Sequence, residues 1–185
     1  MRLVPPLPAC ADAEFDGEGK HRYWLSRSVP SEFAGRIGLC LALNPSKAGA
    51  TDDDDDHTVR KWKGFAKRWG WGGFWVGNLF SYIETESQKL RQISYAHAVG
   101  ERNNEVLAAM IAVAPEIVLC WGNNVPHALR RRVDEVLDLV RVRRSPLSSV
   151  SCLGLTAQGA PWHPLRLGYD TPLQPWVFKE KASRR

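Results

Sequence analysis

Residues 37–60 read IGLCLALNPSKAGATDDDDDHTVR. The run Ile37–Leu43 is mostly apolar and short, which predicts a strand buried on both faces. It ends in a polar turn, Asn44-Pro45-Ser46. An acidic run, Asp52–Asp56, follows and reads as a loop. A basic, aromatic segment then begins near Thr58, with Asp56 or Thr58 as its cap. A buried strand that leads through a polar turn into a helix is the repeating unit of open α/β sheets, whose ligands sit beyond the carboxyl ends of the strands.

The same unit recurs along the chain. Trp62, Phe65 and Trp69 share one face of the first predicted helix, and Arg60, Lys61, Lys63, Lys67 and Arg68 fill much of the rest. That pattern is an amphipathic helix with a solvated basic rim, or a contact for a polyanion. Phe74–Phe80 (FWVGNLF) is the second predicted strand, with Asn78 near its end. Residues 83–99 read as irregular or partly helical, and Glu101–Ala114 as a helix. Glu116–Trp121 is the third strand, followed by Gly122-Asn123-Asn124. Pro126 suits the first turn of another helix, which carries Arg130, Arg131 and Arg132. Val150–Leu155 is the fourth strand, and a Gly-Ala-Pro loop leads from it to Trp162-His163-Pro164-Leu165-Arg166-Leu167. His21–Val29 reads as an edge strand, and residues 1–20 and 179–185 as loose arms. The expectation is one α/β domain, a three-layer α/β/α sandwich around a central, mostly parallel, four-stranded sheet.

Composition narrows the function classes. The chain has 185 residues and a net charge of +5, with a pI near 9.2. That permits a polyanionic partner without demanding one. The start, MRLVPPLPAC, is not a signal peptide, and no stretch approaches the roughly 20 apolar residues of a membrane span. A cytoplasmic protein is expected, with no membrane partner and a monomeric state. Cys10, Cys40, Cys120 and Cys152 are widely spaced and lack a C-x-x-C pattern, so buried free thiols are expected rather than a metal site. No dinucleotide or P-loop glycine motif is present, and no cofactor is expected.

The strand ends carry a further pattern. ALNPS at 42–46, VGNLF at 76–80, LCWG at 119–122 and HPLRL at 163–167, in that order, resemble the motifs of the uracil-DNA glycosylase superfamily. LNPS, D-D-x-T-x-x-R at 55–60, WG and HPL also resemble a family of bacterial and phage proteins long without a function, and phage-defence DNA glycosylases are similar in kind. The resemblance spans about residues 37–168. It implies cleavage of an N-glycosidic bond in a base flipped out of DNA, with Asn44 positioning water and His163 donating to the departing base. It also implies that Asn78 reads the base edge, and that Leu167 fills the gap left in the stack.

The residue types suit that chemistry. Bond cleavage places positive charge on the sugar and negative charge on the base, so the site needs an oriented water and a donor. Asn44 can orient a water but cannot take its proton; otherwise it is a turn-forming Asn-Pro. His163 can donate; otherwise it is structural. Asn78 offers one acceptor and one donor, or it satisfies backbone at a strand end. Ser46 and Trp121 complete the expected base pocket, and Ser46 is also placed to bind a phosphate.

Pro45, Lys47, Lys61, Arg68, Pro164, Arg166 and Leu167 form the expected DNA contact, with the arginines after Pro126 as further candidates. Uracil-specific relatives place a tyrosine after the turn proline. Ser46 stands there in this chain, leaving room for a pyrimidine bulky at C5, such as the hydroxymethylated or glucosylated cytosine of phage DNA. Asp55 and Asp56 are candidates to contact such an adduct; otherwise they belong to a solvated acidic loop. With no activated lysine, an abasic product without strand scission is expected. The alternatives are a hydrolase or transferase acting on free nucleosides or nucleotides, and an inactive DNA-binding module.

Overall fold

A computed structural model describes residues 5, 11–30 and 35–178. Among the described residues, seven strands form one mixed sheet: β1 (Asp12–Phe15), β2 (Arg22–Ser28), β3 (Ile37–Ala42), β4 (Gly73–Asn78), β5 (Glu116–Leu119), β6 (Ser149–Cys152) and β7 (Gln174–Pro175). Their order is β1-β2-β4-β3-β5-β6-β7. The parallel centre, β4-β3-β5-β6, is built from the four predicted strands, with Ala42 opposite Asn78 and Leu41 opposite Leu119.

The expected four-stranded sheet is therefore too small, because antiparallel strands extend it at both ends. β2 is not an edge. It is almost wholly buried between β4 and β1. Residues 12–15, expected in a loose arm, form β1, whose hairpin is closed by the Asp16 carboxylate accepting from the amides of Lys20 and His21 at 2.7 and 3.0 Å. β7 is two residues long and lacks any apolar run that would mark it in the sequence.

Side-chain alternation splits the core in two. Leu39, Leu41, Trp75, Ile117 and Leu119 meet Val106, Leu107, Met110 and Ile111 of α3 (Asn103–Val113) and Val136 and Val140 of α4 (Arg131–Arg143). Cys40, Ala42, Phe74, Val76 and Val118 face the other way, onto Val59, Trp62 and Ala66 of α1 (His57–Trp69). Helices thus cover both faces of the sheet, which is why its central strands are apolar throughout. Residues 83–99 contain a 3-10 turn at Ser87–Gln92 and a short helix, α2 (Tyr95–Val99). Cys40, Cys120 and Cys152 are free and buried, while Cys10 lies outside the described residues. No helix among the described residues is long and apolar enough to cross a membrane.

Candidate functional site

The Asn44 turn is stitched to the chain that leaves β4. Leu79 N donates to Ala42 O, Phe80 N to Leu43 O and Glu84 N to Pro45 O, at 2.9–3.0 Å. The Asn44 side chain adds to this seam: Nδ2 donates to Pro45 O at 2.9 Å and to Glu84 O at 2.6 Å. Both amide protons are thereby used, which fixes the amide's orientation. Oδ1 accepts from nothing among the described residues and is left as an acceptor.

Two positions along, Ser46 donates its hydroxyl to Asp56. Asp56 is the N-cap of α1, and its Oδ1 accepts from Val59 N at 2.9 Å. The acidic run is therefore anchored at Asp55 and Asp56, while Asp52, Asp53 and Asp54 stay exposed. Asp52–Asp54 form a 3-10 turn. Asp55 is 8% exposed and accepts from Arg27 Nε at 2.6 Å, with Lys63 on its other oxygen. That double pairing removes Asp55 as an adduct contact. Arg27 has an acceptor for every N–H, the others being Ser26 O, Asp12 O, Gly49 O and Thr51 O. It is the post on which the acidic run is hung.

His163 reaches the same cluster from the far end of the chain. The loop that carries it is pinned by Gly122 N to Pro161 O and Trp162 N to Gly154 O, both 2.9 Å. Gly122, at φ +69°, sits so close beneath that a Cβ there would lie 3.2 Å from His163 Cβ. His163 caps a 3-10 turn at Pro164–Arg166, its Nδ1 accepting from Leu165 N at 3.4 Å. Accepting at Nδ1 puts the proton of the neutral ring on Nε2. Burial pushes this imidazole below the ordinary histidine pKa, while the nearby Asp56 carboxylate pulls it up. Asp56, hydrogen-bonded to Ser46, is thus the carboxylate whose charge His163 feels.

Asn78 lies one strand away. It pairs with Ala42, whose side chain faces α1, so the Asn78 side chain points to that face as well. The residue is 2% exposed, and Nδ2 is sealed without a hydrogen-bond partner. Its backbone is clamped from behind. Asn103 Nδ2 donates to Asn78 O and Leu79 O at 3.1 and 3.0 Å, and Arg132 Nε to Leu79 O at 2.6 Å. Arg132 is consequently buried scaffold and not part of a basic DNA face, which corrects that expectation.

Other expected site residues are placed differently. Trp121 is buried on the opposite face, edge-on to Trp176. It lines a groove of about 1260 Å³ with Trp176, Phe178, Arg130 and Asp134, apart from Asn44, Asn78 and His163. Pro45 and Pro164 are buried, Leu167 is half-buried, and Lys47, Arg68 and Arg166 are exposed. Leu165, at 44%, is the more exposed leucine of the His163 turn. Lys61 lies 4.0 Å over the Tyr169 ring, a cation–π contact that holds the segment after His163 against α1.

Arg22, at the start of β2, is the group that sequence reading passed over. It is 4% exposed and donates to Ala48 O at 2.5 Å, just past the Asn44 turn. Burial lowers its pKa to about 10, with Asp56 pulling it up and Arg27 pushing it down. It remains a cation at neutral pH. An arginine in a polar-looking strand gave no signal in the sequence, because the contact that buries it comes from the loop at residue 48.

Asn44 Oδ1 can orient a water and His163 Nε2 can donate, while Asn78 Nδ2 and Arg22 Nε are further donors without partners, both sealed from solvent. Among the described residues, no group of three or more His, Cys, Asp or Glu side chains stands ready to hold a metal ion. The buried Cys40 and Cys120 thiols are raised well above their ordinary pKa by burial, so they are protonated and unreactive at neutral pH.

No curated protein and no solved structure matches the chain. One family model does, over residues 22–165. Its span opens at Arg22 and closes two residues after His163, so all the clustered groups fall within it. On that match the chain belongs to DUF1643, a family described as proteins of unknown function.

Proposed function

We propose that this protein is a monofunctional DNA glycosylase. It hydrolyses the N-glycosidic bond of a flipped pyrimidine, leaves an abasic site, and needs no cofactor. The observation that carries the reading is the fixed amide of Asn44. With both protons held by Pro45 O and Glu84 O, Oδ1 presents a fixed acceptor at the end of β3. A water bound there is aimed by the enzyme rather than by its own tumbling.

His163 supplies the other half. Its neutral ring carries a proton on Nε2 and serves as a hydrogen-bond donor to the oxygen of the departing base, where negative charge gathers. Asn78 Nδ2, buried without a partner, is a donor kept for the base edge. The water's proton goes to solvent or to the released base, since an amide cannot take it.

The resemblance of ALNPS, VGNLF and HPLRL to uracil-DNA glycosylase motifs supports the same assignment. Ser46 in place of the tyrosine of uracil-specific relatives supports a base bulky at C5, with hydroxymethylated or glucosylated cytosine of phage DNA as the first candidates and antiviral defence as the role.

The test is an abasic-site assay on DNAs that carry or lack these adducts. Product is expected only with the modified base, falling by about 10²-fold or more in His163→Ala and also falling in Asn44→Ala. Equal yield from modified and unmodified DNA would remove the C5 assignment. No product from any DNA, or full activity in both variants, would remove the glycosylase reading.

A further inference from the structure

Trp162 stands directly before His163 and is 38% exposed, with Leu165 and Tyr169 exposed further along the same stretch. The indole is nonetheless seated. Trp162 N donates to Gly154 O at 2.9 Å. The ring rests on Gly154, where a Cβ would come within 2.8 Å of Cε3 and Cζ3. Gly154 also holds φ +124°, a conformation that residues with side chains rarely adopt. Glycine thus serves this seat twice. The adjoining bridge pair, Leu155 and Pro161, lines the groove beside Trp176. Side chains alternate along an extended chain, so Trp162 faces away from that groove.

The surroundings carry positive charge. From residue 139 to residue 169 the sequence holds no Asp or Glu, and Arg166, next to Leu165, is exposed. Helix α1 packs along the same stretch. Lys61 lies 4.0 Å over the Tyr169 ring, and a Cβ on Gly64 would run into that ring. Arg68, one helical turn beyond Gly64, shares its face and is exposed. Asp170 is the first carboxylate to follow. An open indole bordered by arginines matches a ligand that is aromatic and anionic at once, which is the chemistry of a nucleic-acid strand.

We propose that Trp162 is a stacking platform for an unpaired nucleobase, through which the protein engages single-stranded DNA beside His163. In a duplex each base face is covered by its neighbours, whereas in a single strand the faces are open to an aromatic side chain. Trp162 is covered by its own seat over more than half its surface, so it receives an open base rather than projecting into a closed stack. The inference rests on the DNA-directed reading above and adds the form of the strand.

The test uses the full chain and unmodified DNA, so binding is read without any chemistry. Fluorescence anisotropy compares a labelled oligothymidylate, an oligomer of the same length made of abasic sugar-phosphates, and a duplex. Native protein should bind the oligothymidylate about tenfold or more tighter than the abasic oligomer. Trp162→Leu still covers Gly154 but has no aromatic face, and it should lose about tenfold on the oligothymidylate. Trp162→Phe should keep most of the affinity. Neither variant should alter binding to the abasic oligomer or to the duplex, which the cations alone hold.

Equal native affinity for the two single strands, or a Trp162→Leu protein that binds the oligothymidylate as native protein does, overturns the platform. An equal loss on the duplex overturns the single-stranded assignment, and an oligouridylate bound more tightly than the oligothymidylate overturns the assignment to DNA. Trp162-dependent binding with no abasic product from any DNA would remove the glycosylase and keep the platform. Abasic-site formation on subsaturating single strands that is unchanged in Trp162→Leu would do the reverse.

Discussion

His163 is held uncharged at a pH where many surface histidines begin to take up a proton. An unshifted imidazole titrates near 6.5, and burial moves that of His163 lower. His21, buried with Nδ1 2.9 Å from Ser81 Oγ, is lowered by burial as well. Below 6.5 the unfolded chain therefore binds protons that the folded chain refuses, and stability falls as pH drops from 6.5 toward the depressed values. Above 6.5 neither state carries these protons, and the dependence vanishes. Glu18 and Asp54 are lowered from 4.5 and 3.8 by Lys20 and Thr51, so they act below this window.

Urea unfolding at pH 7.5, 6.0 and 5.0 should show a falling midpoint, with a smaller fall in His163→Gln and in His21→Gln. A midpoint that rises on acidification would contradict the burial argument. Activity should follow the same direction. Protonation places a hydrogen on Nδ1, facing the Leu165 amide from which it now accepts, and so breaks the turn that aims the ring. The rate should be level above pH 6.5 and decline below it. A rate that climbs in acid would contradict a neutral donor.

Among the elements, the acidic run behaves least as its composition suggests. Five consecutive aspartates read as a solvated loop, yet they fold because Arg27 and Lys63 approach from β2 and α1. Arg27 is 28 residues from Asp55, so no local pattern could announce that pairing. Asp55→Ala would leave Arg27, whose side chain is fully buried, without its hydrogen-bonded carboxylate and with only Asp52 Oδ1, 3.9 Å from Nε. A loss of roughly 3–5 kcal/mol is expected by chemical denaturation. A loss below 1 kcal/mol would mean that the backbone acceptors of Arg27 suffice.

The parallel strands were legible for the opposite reason. Ile37–Leu43 and Glu116–Trp121 carry apolar residues on both faces, and helices on both sides require that. The Asn44 turn and the His163 loop were legible because prolines mark them. Arg22, Asn103 and Arg132 were not, since each is defined by a carbonyl it meets across the fold. Trp121 was misplaced because it lies beyond the end of β5 and packs on the opposite face, and Gly122, not Trp121, lies beneath His163.

For the molecule as a whole, the net charge of +5 is spread over exposed side chains such as Lys47, Arg60, Lys67, Arg68 and Arg166. On the proposed function these meet phosphates and release counterions, each contact adding about 0.9 to the slope of log K against log salt. Replacing Lys67 and Arg68 together by glutamate should flatten that slope by roughly 2. DNA affinity measured from low to high salt checks this. A slope unchanged by the double variant would place the DNA on another face.

The sheet also finishes abruptly on both sides. β1 is four residues long and bears Asp12 and Glu14, and β7 is two residues long and includes Pro175, which has no N–H to offer. Among the described residues, neither margin presents the long unpaired backbone on which another chain nucleates cross-β growth. Removing β7 would bare only Ser151 and Cys152 of β6, so even that loss opens a gap two residues wide, too small a ledge for a foreign strand to lie along.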